Sequence, residues 1–161
     1  MTQQIFIDTE FTDFINTELI SIGMVTSKGA EFYGEVPFEL QACSPFVLEA
    51  VVPQLGQIEG AMFSLAELGT AMLLWLEKNR EATSNVEIIY DYSTDWDLFC
   101  DVLNYRQPAW CRPKRVSNLC EADKHSFYIR ERLSRHHALY DAKALKHAYA
   151  QNQKIDFRTV G

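Results

Sequence analysis

The order of apolar runs along the chain predicts a mixed α/β domain, and three observations carry that reading. Three short β-type runs come first, joined by brief connections, which suits a meander. A helix–strand–helix–strand–helix alternation follows. The 161 residues, 47% of them hydrophobic, suit a single domain spanning 1–161 with a buried core. A meander excludes an all-parallel sheet, yet a helical crossover lets the fourth strand lie beside the first.

The first strand is predicted over residues 4–8, where Ile5-Phe6-Ile7 is the kind of run that is buried on both faces. Glu18 to Thr26 forms the second and Ala30 to Phe38 the third, with Ser27-Lys28-Gly29 as the turn between them. Residues 39–62, with Pro45, Pro53, Gly56 and Gly60, read as an irregular connection with room for a helical turn. Ser64-Leu65-Ala66-Glu67 is a capping-box pattern that opens a helix running to about Asn79, with Leu65, Leu68, Met72, Trp75 and Leu76 as its core stripe. Val86–Tyr90 is the fourth strand, and Asp95 to about Asn104 the next helix, with Phe99, Val102 and Leu103 inward. Residues 106–117 read as a basic loop broken by Pro108 and Pro113, and Val116–Cys120 as a short fifth strand. Helices are expected over 124–134 and from Ala138 to about Gln151, and the tail from Asn152 carries no signal.

The composition, with 23% charged residues, is that of an ordinary soluble globular protein, and no apolar run is long enough for a membrane span. No basic segment followed by an apolar stretch opens the sequence, so a cytoplasmic location is expected. Cys43, Cys100, Cys111 and Cys120 lack a C-x-x-C spacing, which argues against zinc and against a redox pair. Charge is unevenly distributed: residues 1–105 carry 3 Lys+Arg against 17 Asp+Glu, and residues 106–161 carry 12 against 5. An acidic half suits cation binding and a basic half suits phosphate contacts, unless the segregation is accidental.

The chemistry begins at Asp8-Thr9-Glu10-Phe11. Positions i and i+2 of a strand share a side, so Asp8 and Glu10 project together. Two carboxylates at the end of a buried strand repel and lose hydration unless a cation lies between them. A divalent metal with oxygen ligands is the simplest partner; two surface acids after a strand are the alternative. Asp95 follows the fourth strand at a helix start, where it serves equally well as an N-cap. Asp141 shares a helix face with Leu145 and Ala148, and an inward Asp is unusual unless paired or metal-bound. His136, five residues earlier, is placed to act as a base near neutral pH or to play a structural part.

In this order and spacing, these residues resemble the DnaQ-like 3′–5′ exonucleases of the DEDDh branch. Asp8-Thr9-Glu10 matches the D-x-E motif, Asp95 the second motif, and His136-His137-Ala138-Leu139-Tyr140-Asp141 the H-x-x-x-x-D motif. The segment HHALYDAKAL is similar along its length, and the resemblance spans residues 5–149. D-T-E-F followed by E-L-I-S-I-G is similar to the short bacterial exoribonucleases called RNase AS, which favour adenylate-containing RNA. The pattern departs from the family in Thr94, where an aromatic is usual, and in Asp91, where many relatives have Asn. Asp97 is a second candidate for the Asp95 role. His137 gives a three-residue spacing that fits the family less well than His136.

The resemblance implies an RNase H-like sheet in order 3-2-1-4-5 with strand two antiparallel. It implies that Asp8, Glu10, Asp95 and Asp141 hold two divalent ions and that His136 deprotonates the attacking water. Four carboxylates suit Mg²⁺ or Mn²⁺. The implied reaction removes nucleoside 5′-monophosphates from the 3′ end of single-stranded RNA, with adenylate-containing RNA or 3′ overhangs favoured. A homodimer is implied too, with loop 106–117 as the segment reaching a partner's site. Phe11 is placed to stack on the terminal base and Phe14 to wedge under the next, with core packing as the alternative for both. Glu18, or the backbone near Thr9, is a candidate for a ribose 2′-hydroxyl. Arg112, Lys114, Arg115, Arg130, Arg132 and Arg135 form a candidate phosphate track. The competing readings are a 3′–5′ DNA exonuclease of proofreading or repair type, a nucleic-acid-binding module without catalysis, and a structural protein with a metal-stabilised core.

Overall fold

The structure is a computed structural model that describes residues 2–81 and 85–159, with side chains described as far as Lys154. Five strands form one sheet: β1 (Gln3–Phe11), β2 (Leu19–Thr26), β3 (Glu31–Glu35), β4 (Val86–Tyr90) and β5 (Cys111–Arg115). Their order is β3-β2-β1-β4-β5. β2 runs antiparallel to both of its neighbours, and β1–β4 and β4–β5 pair in parallel. This is the RNase H-like sheet in order 3-2-1-4-5. The helices are α1 (Pro45–Ala50), α2 (Leu65–Asn79), α3 (Ser93–Val102), α4 (Glu121–Glu131) and α5 (Ala138–Thr159).

The alternation within β1 explains why both faces of the sheet are covered. Ile5 and Ile7 join Ile22, Met24 and Ile88 beneath α2 and α3, where Leu68, Met72, Leu76 and Phe99 complete the main core. Phe6 faces the other way, with Val25 and Ile89, against Ala142, Leu145 and Tyr149 of α5. α4 lies outside α5 through Phe127, Tyr128 and Ala144. The capping box of α2 forms as expected, Ser64 Oγ accepting from the Glu67 N–H and Glu67 Oε2 from the Ser64 N–H. Leu65, expected in the core stripe, is instead exposed at the first turn.

The departures have local causes. β1 extends to Phe11 instead of stopping at Asp8, because β2 continues to pair with it as far as Phe11. β4 pairs only with Gln3–Phe6, so Ile7–Phe11, the second half of β1, overhangs its parallel neighbour. Clefts in open α/β sheets form at such carboxyl ends. β3 stops at Glu35, two residues before Pro37, which has no N–H to continue a ladder. α3 begins at Ser93, capped by Tyr92, so Asp95 sits at the third helical position and is not the N-cap. It ends at Val102, short of Asn104, and α4 covers 121–131, ahead of the expected 124–134. α5 continues beyond Gln151 to Thr159.

The largest correction is β5. It occupies Cys111–Arg115, inside the segment read as a loop, and not Val116–Cys120. Pro113 argued against a strand, but β5 is the outer strand of the sheet, where a proline is tolerated. Among the described residues, no helix is long and apolar enough to cross a membrane.

Gly23 sets how closely α5 approaches the sheet. It lies directly opposite Asp8 in the β1–β2 register. A Cβ at this position would run into the backbone of Ala138 and Leu139, where α5 begins. Gly23→Ala should therefore push the first turn of α5, with Asp141, away from Asp8. The expected cost is roughly 1–3 kcal/mol of stability, read by denaturant melts. The variant should also lose whatever activity depends on Asp8 and Asp141 more steeply than its stability loss explains.

Candidate active site

The overhang of β1 is the floor of a cleft of about 480 Å³, lined by Asp8, Thr9, Glu10, Phe11, Asp95, His136 and Asp141 among others. Asp8 and Glu10 come from β1, Asp95 from the first turn of α3, and Asp141 from the first turn of α5. Asp95, 2% exposed, is the most deeply set. Asp97 is exposed on the far side of α3, so of the two candidates the cleft takes Asp95.

Neutral donors hold two of these carboxylates in place. The Thr9 N–H and hydroxyl both donate to Asp95 Oδ1, at 3.1 and 2.6 Å. Asp95 Oδ2 is buried and has no hydrogen-bond partner. The Tyr128 hydroxyl donates to Asp141 Oδ1 at 2.6 Å, and the His136 N–H to Asp141 Oδ2 at 3.1 Å. Tyr128 was not legible as a site residue, because its partner lies 13 positions away on the next helix.

His136 occupies a left-handed backbone conformation, φ 62°. Its carbonyl accepts from Gln54 Nε2 at 3.0 Å, and its ring meets the edge of Phe46 at 4.9 Å between centroids. One side-chain nitrogen of His136 lies within 4.8 Å of carboxylate oxygens of Glu10 and Asp141. His137 points elsewhere. It is buried and stacked between Tyr33 and Tyr140, 4.5 and 3.9 Å away. Burial holds its pKa below the usual imidazole value.

Carboxyl groups this close cannot all be ionised without help. Oxygens of Asp8, Asp91 and Asp95 lie within 4.8 Å of one another. At that separation two full charges repel by about 3–4 kcal/mol for an effective dielectric constant of about 20. Burial, then the charges of Asp95 and Asp141, push the Asp8 pKa well up. Burial, then Asp141 and Asp95, raise Glu10 to about 8. Burial raises Asp95 to about 7, against the opposing hydrogen bond from Thr9. Asp141 is also raised, burial outweighing the Tyr128 hydrogen bond. A hard divalent cation fits this donor set: oxygen ligands, an unsatisfied buried oxygen on Asp95, and carboxylates that cannot share the space as bare anions. Glu10, His136 and Asp141 form one group of the right size, and Asp8, Asp91 and Asp95 a second.

Aromatic side chains wall the cleft. Phe11 lines it while packing on the main core. Phe14 is 71% exposed, which removes core packing as its alternative. Phe11, Phe14 and Tyr92 form an edge-to-face chain, with centroids 5.1 and 5.8 Å apart. Phe46 and Tyr92 line the cleft as well, and nothing in their local sequence marks them. Glu18 is exposed and outside the cleft lining, and its backbone pairs with Thr12. None of the six basic track residues lines the cleft. Lys114 pairs with Glu87, Arg130 with Glu131 and Arg135 with Glu121.

Compared by sequence, the chain matches no family model and no curated protein. Compared by structure, it is similar to cell-death related nuclease 4, with a TM-score of 0.59 and 12% identity over 96% of this chain and 64% of that one. It is also similar to a 3′-exonuclease described for 3′-end specific recognition of a histone mRNA stem-loop. There the TM-score is 0.55 and the identity 15%, over 92% of this chain and 62% of that one. The chain thus spans a little under two thirds of each. At such identities the likeness establishes the fold.

The raised carboxyl groups make a pH prediction for the metal-free protein. The folded state keeps protons that the unfolded chain releases near pH 4. The resulting stabilisation is complete below about pH 4 and is lost as pH rises through about 7 to 8. Melting temperature in chelator should therefore fall between about pH 5 and about pH 9. Asp8→Asn should flatten that slope, and Mn²⁺ should restore stability at the alkaline end. A melting temperature that climbs with pH in chelator would contradict the assignment.

Proposed function

We propose that this protein is a 3′–5′ exonuclease that shortens single-stranded RNA from its 3′ end, releasing nucleoside 5′-monophosphates. The observation that carries the reading is the convergence of Asp8, Glu10, Asp95 and Asp141 with His136 in one cleft at the carboxyl end of β1. The three motifs in DEDDh order support it, and so does the fold shared with nucleases. RNA as substrate, with adenylate-containing ends favoured, rests on the closer similarity of D-T-E-F and E-L-I-S-I-G to RNase AS.

Asp8, Glu10, Asp95 and Asp141 would hold two divalent ions, Mg²⁺ or Mn²⁺. When bound, such ions supply the positive charge and Lewis acidity that stabilise the charge developing on a phosphodiester. The rest falls to the chain's own groups. His136 takes the proton of the attacking water; its backbone is fixed on one side by Gln54 and on the other by Asp141. Thr9 and Tyr128 keep Asp95 and Asp141 from turning away. Phe11, Phe14, Tyr92 and Phe46, which all line the cleft, stack on the terminal base and limit the pocket to a strand end.

The cleft lining has no Lys or Arg, so upstream phosphates need cations from elsewhere. A homodimer, with residues 106–117 of one copy reaching the cleft of the other, answers that need. Arg112 and Arg115 are exposed on β5.

Incubation of 5′-labelled RNA carrying a 3′ overhang with Mg²⁺ should give a ladder shortened one nucleotide at a time. A matched DNA strand should be cut more slowly; faster DNA cleavage would transfer the assignment to DNA, and internal fragments would remove the exonuclease reading. Asp8→Ala and Asp141→Ala should abolish turnover while the metal-free proteins melt at or above the wild-type temperature. His136→Ala should lower kcat by about 10²–10⁴. His137→Ala, which empties an aromatic stack, should mainly lower the melting temperature.

A further inference from the structure

Asp91 is a further carboxylate beside the acid cluster, lining the pocket next to the cleft, and the motif pattern gives it no role. It follows β4 directly, and one of its oxygens lies within 4.8 Å of oxygens of Asp8 and Asp95. Its Oδ2 accepts from Lys124 Nζ at 2.7 Å, across from α4. That lysine side chain is only 14% exposed and also meets Glu121 at 3.3 Å. The one unpartnered buried oxygen of the acid cluster, Asp95 Oδ2, belongs to the same group of three.

These facts set two requirements. Asp95 Oδ2 is nearly inaccessible and lacks a donor, a state that costs free energy unless a ligand completes it. Asp91 adds negative charge beside Asp8 and Asp95 where an amide would not. A lone extra acid in this position would be costly, and among the described residues the Lys124 ammonium pairs with it to offset that cost. The pair therefore delivers a carboxylate to the Asp8–Asp95 side of the cleft while keeping the local charge bearable in the metal-free protein. Asp91 contributes backbone as well, its carbonyl accepting from Arg115 Nε at 3.4 Å, so the residue is tied to both β5 and α4.

We infer that Asp91 is a further divalent-cation ligand, grouped with Asp8 and Asp95, and that Lys124 is an internal counter-cation that sets how tightly this group binds its ion. The inference rests on the proposed two-metal nuclease reading and adds to it a ligand and a regulator of affinity. It predicts opposite effects from the two members of one ion pair. Removing the Asp91 charge weakens the cation site. Removing the Lys124 charge strengthens it, because the carboxylate is then uncompensated until an ion arrives. A pair that merely tied α4 to β4 would give the same effect from either end.

The test is Mn²⁺ binding to the metal-free full chain, followed by calorimetry and by the loss of the free-ion paramagnetic signal, with no nucleic acid present. Asp91→Asn should raise the Mn²⁺ dissociation constant about tenfold or remove one of two sites, in the range seen for supporting groups around metal centres. Lys124→Met should lower that constant several-fold. Asp8→Asn is the control that separates the two levels of the argument. If the wild type binds no Mn²⁺, the nuclease reading itself fails. If Asp8→Asn loses binding but Asp91→Asn titrates as wild type, only the role of Asp91 is refuted. Melting of the metal-free variants guards against misfolding. Parallel losses of stability and Mn²⁺ affinity in both variants would make the pair a structural tie and overturn the inference.

Discussion

Mutual repulsion among acids at the end of β1 is the constraint from which the rest of the molecule takes its shape. Helix ends offer some relief, since Asp95 and Asp141 each sit in a first turn where backbone N–H groups point outward. That relief amounts to about 0.3–1 kcal/mol per charge, against several kcal/mol of repulsion per close pair. Hydrogen bonds from Thr9 and Tyr128 add orientation more than charge. The balance stays unfavourable for bare anions, which is why the carboxyl groups hold protons well into the neutral range. Only a cation of high charge density removes the deficit without moving the backbone.

The backbone is built so that it does not move. β1 is the central strand, paired with β4 from Gln3 to Phe6 and with β2 from Ile5 to Phe11. The acids of α3 and α5 are carried by helices that cover opposite faces of the sheet through separate apolar clusters. A third support comes from the short segment after α1. Gln54 donates to the carbonyls of Ala50, Arg135 and His136, and the Gly56 N–H donates to both oxygens of buried Glu35. That clasp ties β3 and the end of α1 to the segment before α5, and it holds the left-handed residue from which the imidazole projects.

How much of this was legible in the sequence varies with the range of the interaction. Val86–Tyr90 and Leu65–Asn79 could be placed closely, because apolar periodicity and a capping box are local signals. Asp8 and Glu10 follow from strand geometry, and Asp141 from its place on an apolar helix face. The fifth strand was misplaced because a proline speaks against a strand in general, whereas its cost depends on edge position, which only the assembled sheet decides. Tyr128, Gln54, Phe46 and Tyr92 were missed for a related reason. Tyr128, Gln54 and Phe46 come from segments distant in the chain from the groups they meet, while Tyr92, three positions before Asp95, sits in a turn that carries no mark of what lies opposite. Asp91 was visible as an oddity of the motif, but its tie to Lys124 spans 33 positions and exists only in the fold.

The last strand has a bearing on how the protein behaves at high concentration. β5 reads Cys-Arg-Pro-Lys-Arg and forms the outer rim of the sheet. Open rims invite strands from other molecules, and growth from such rims leads to fibrous aggregates. Here a ring without a hydrogen-bond donor and three long cations occupy four consecutive positions, so an incoming strand meets both a gap in the ladder and like charge. The proline that disguises the strand in the sequence thus also blunts it as a template, leaving this side of the molecule poorly suited to runaway polymerisation.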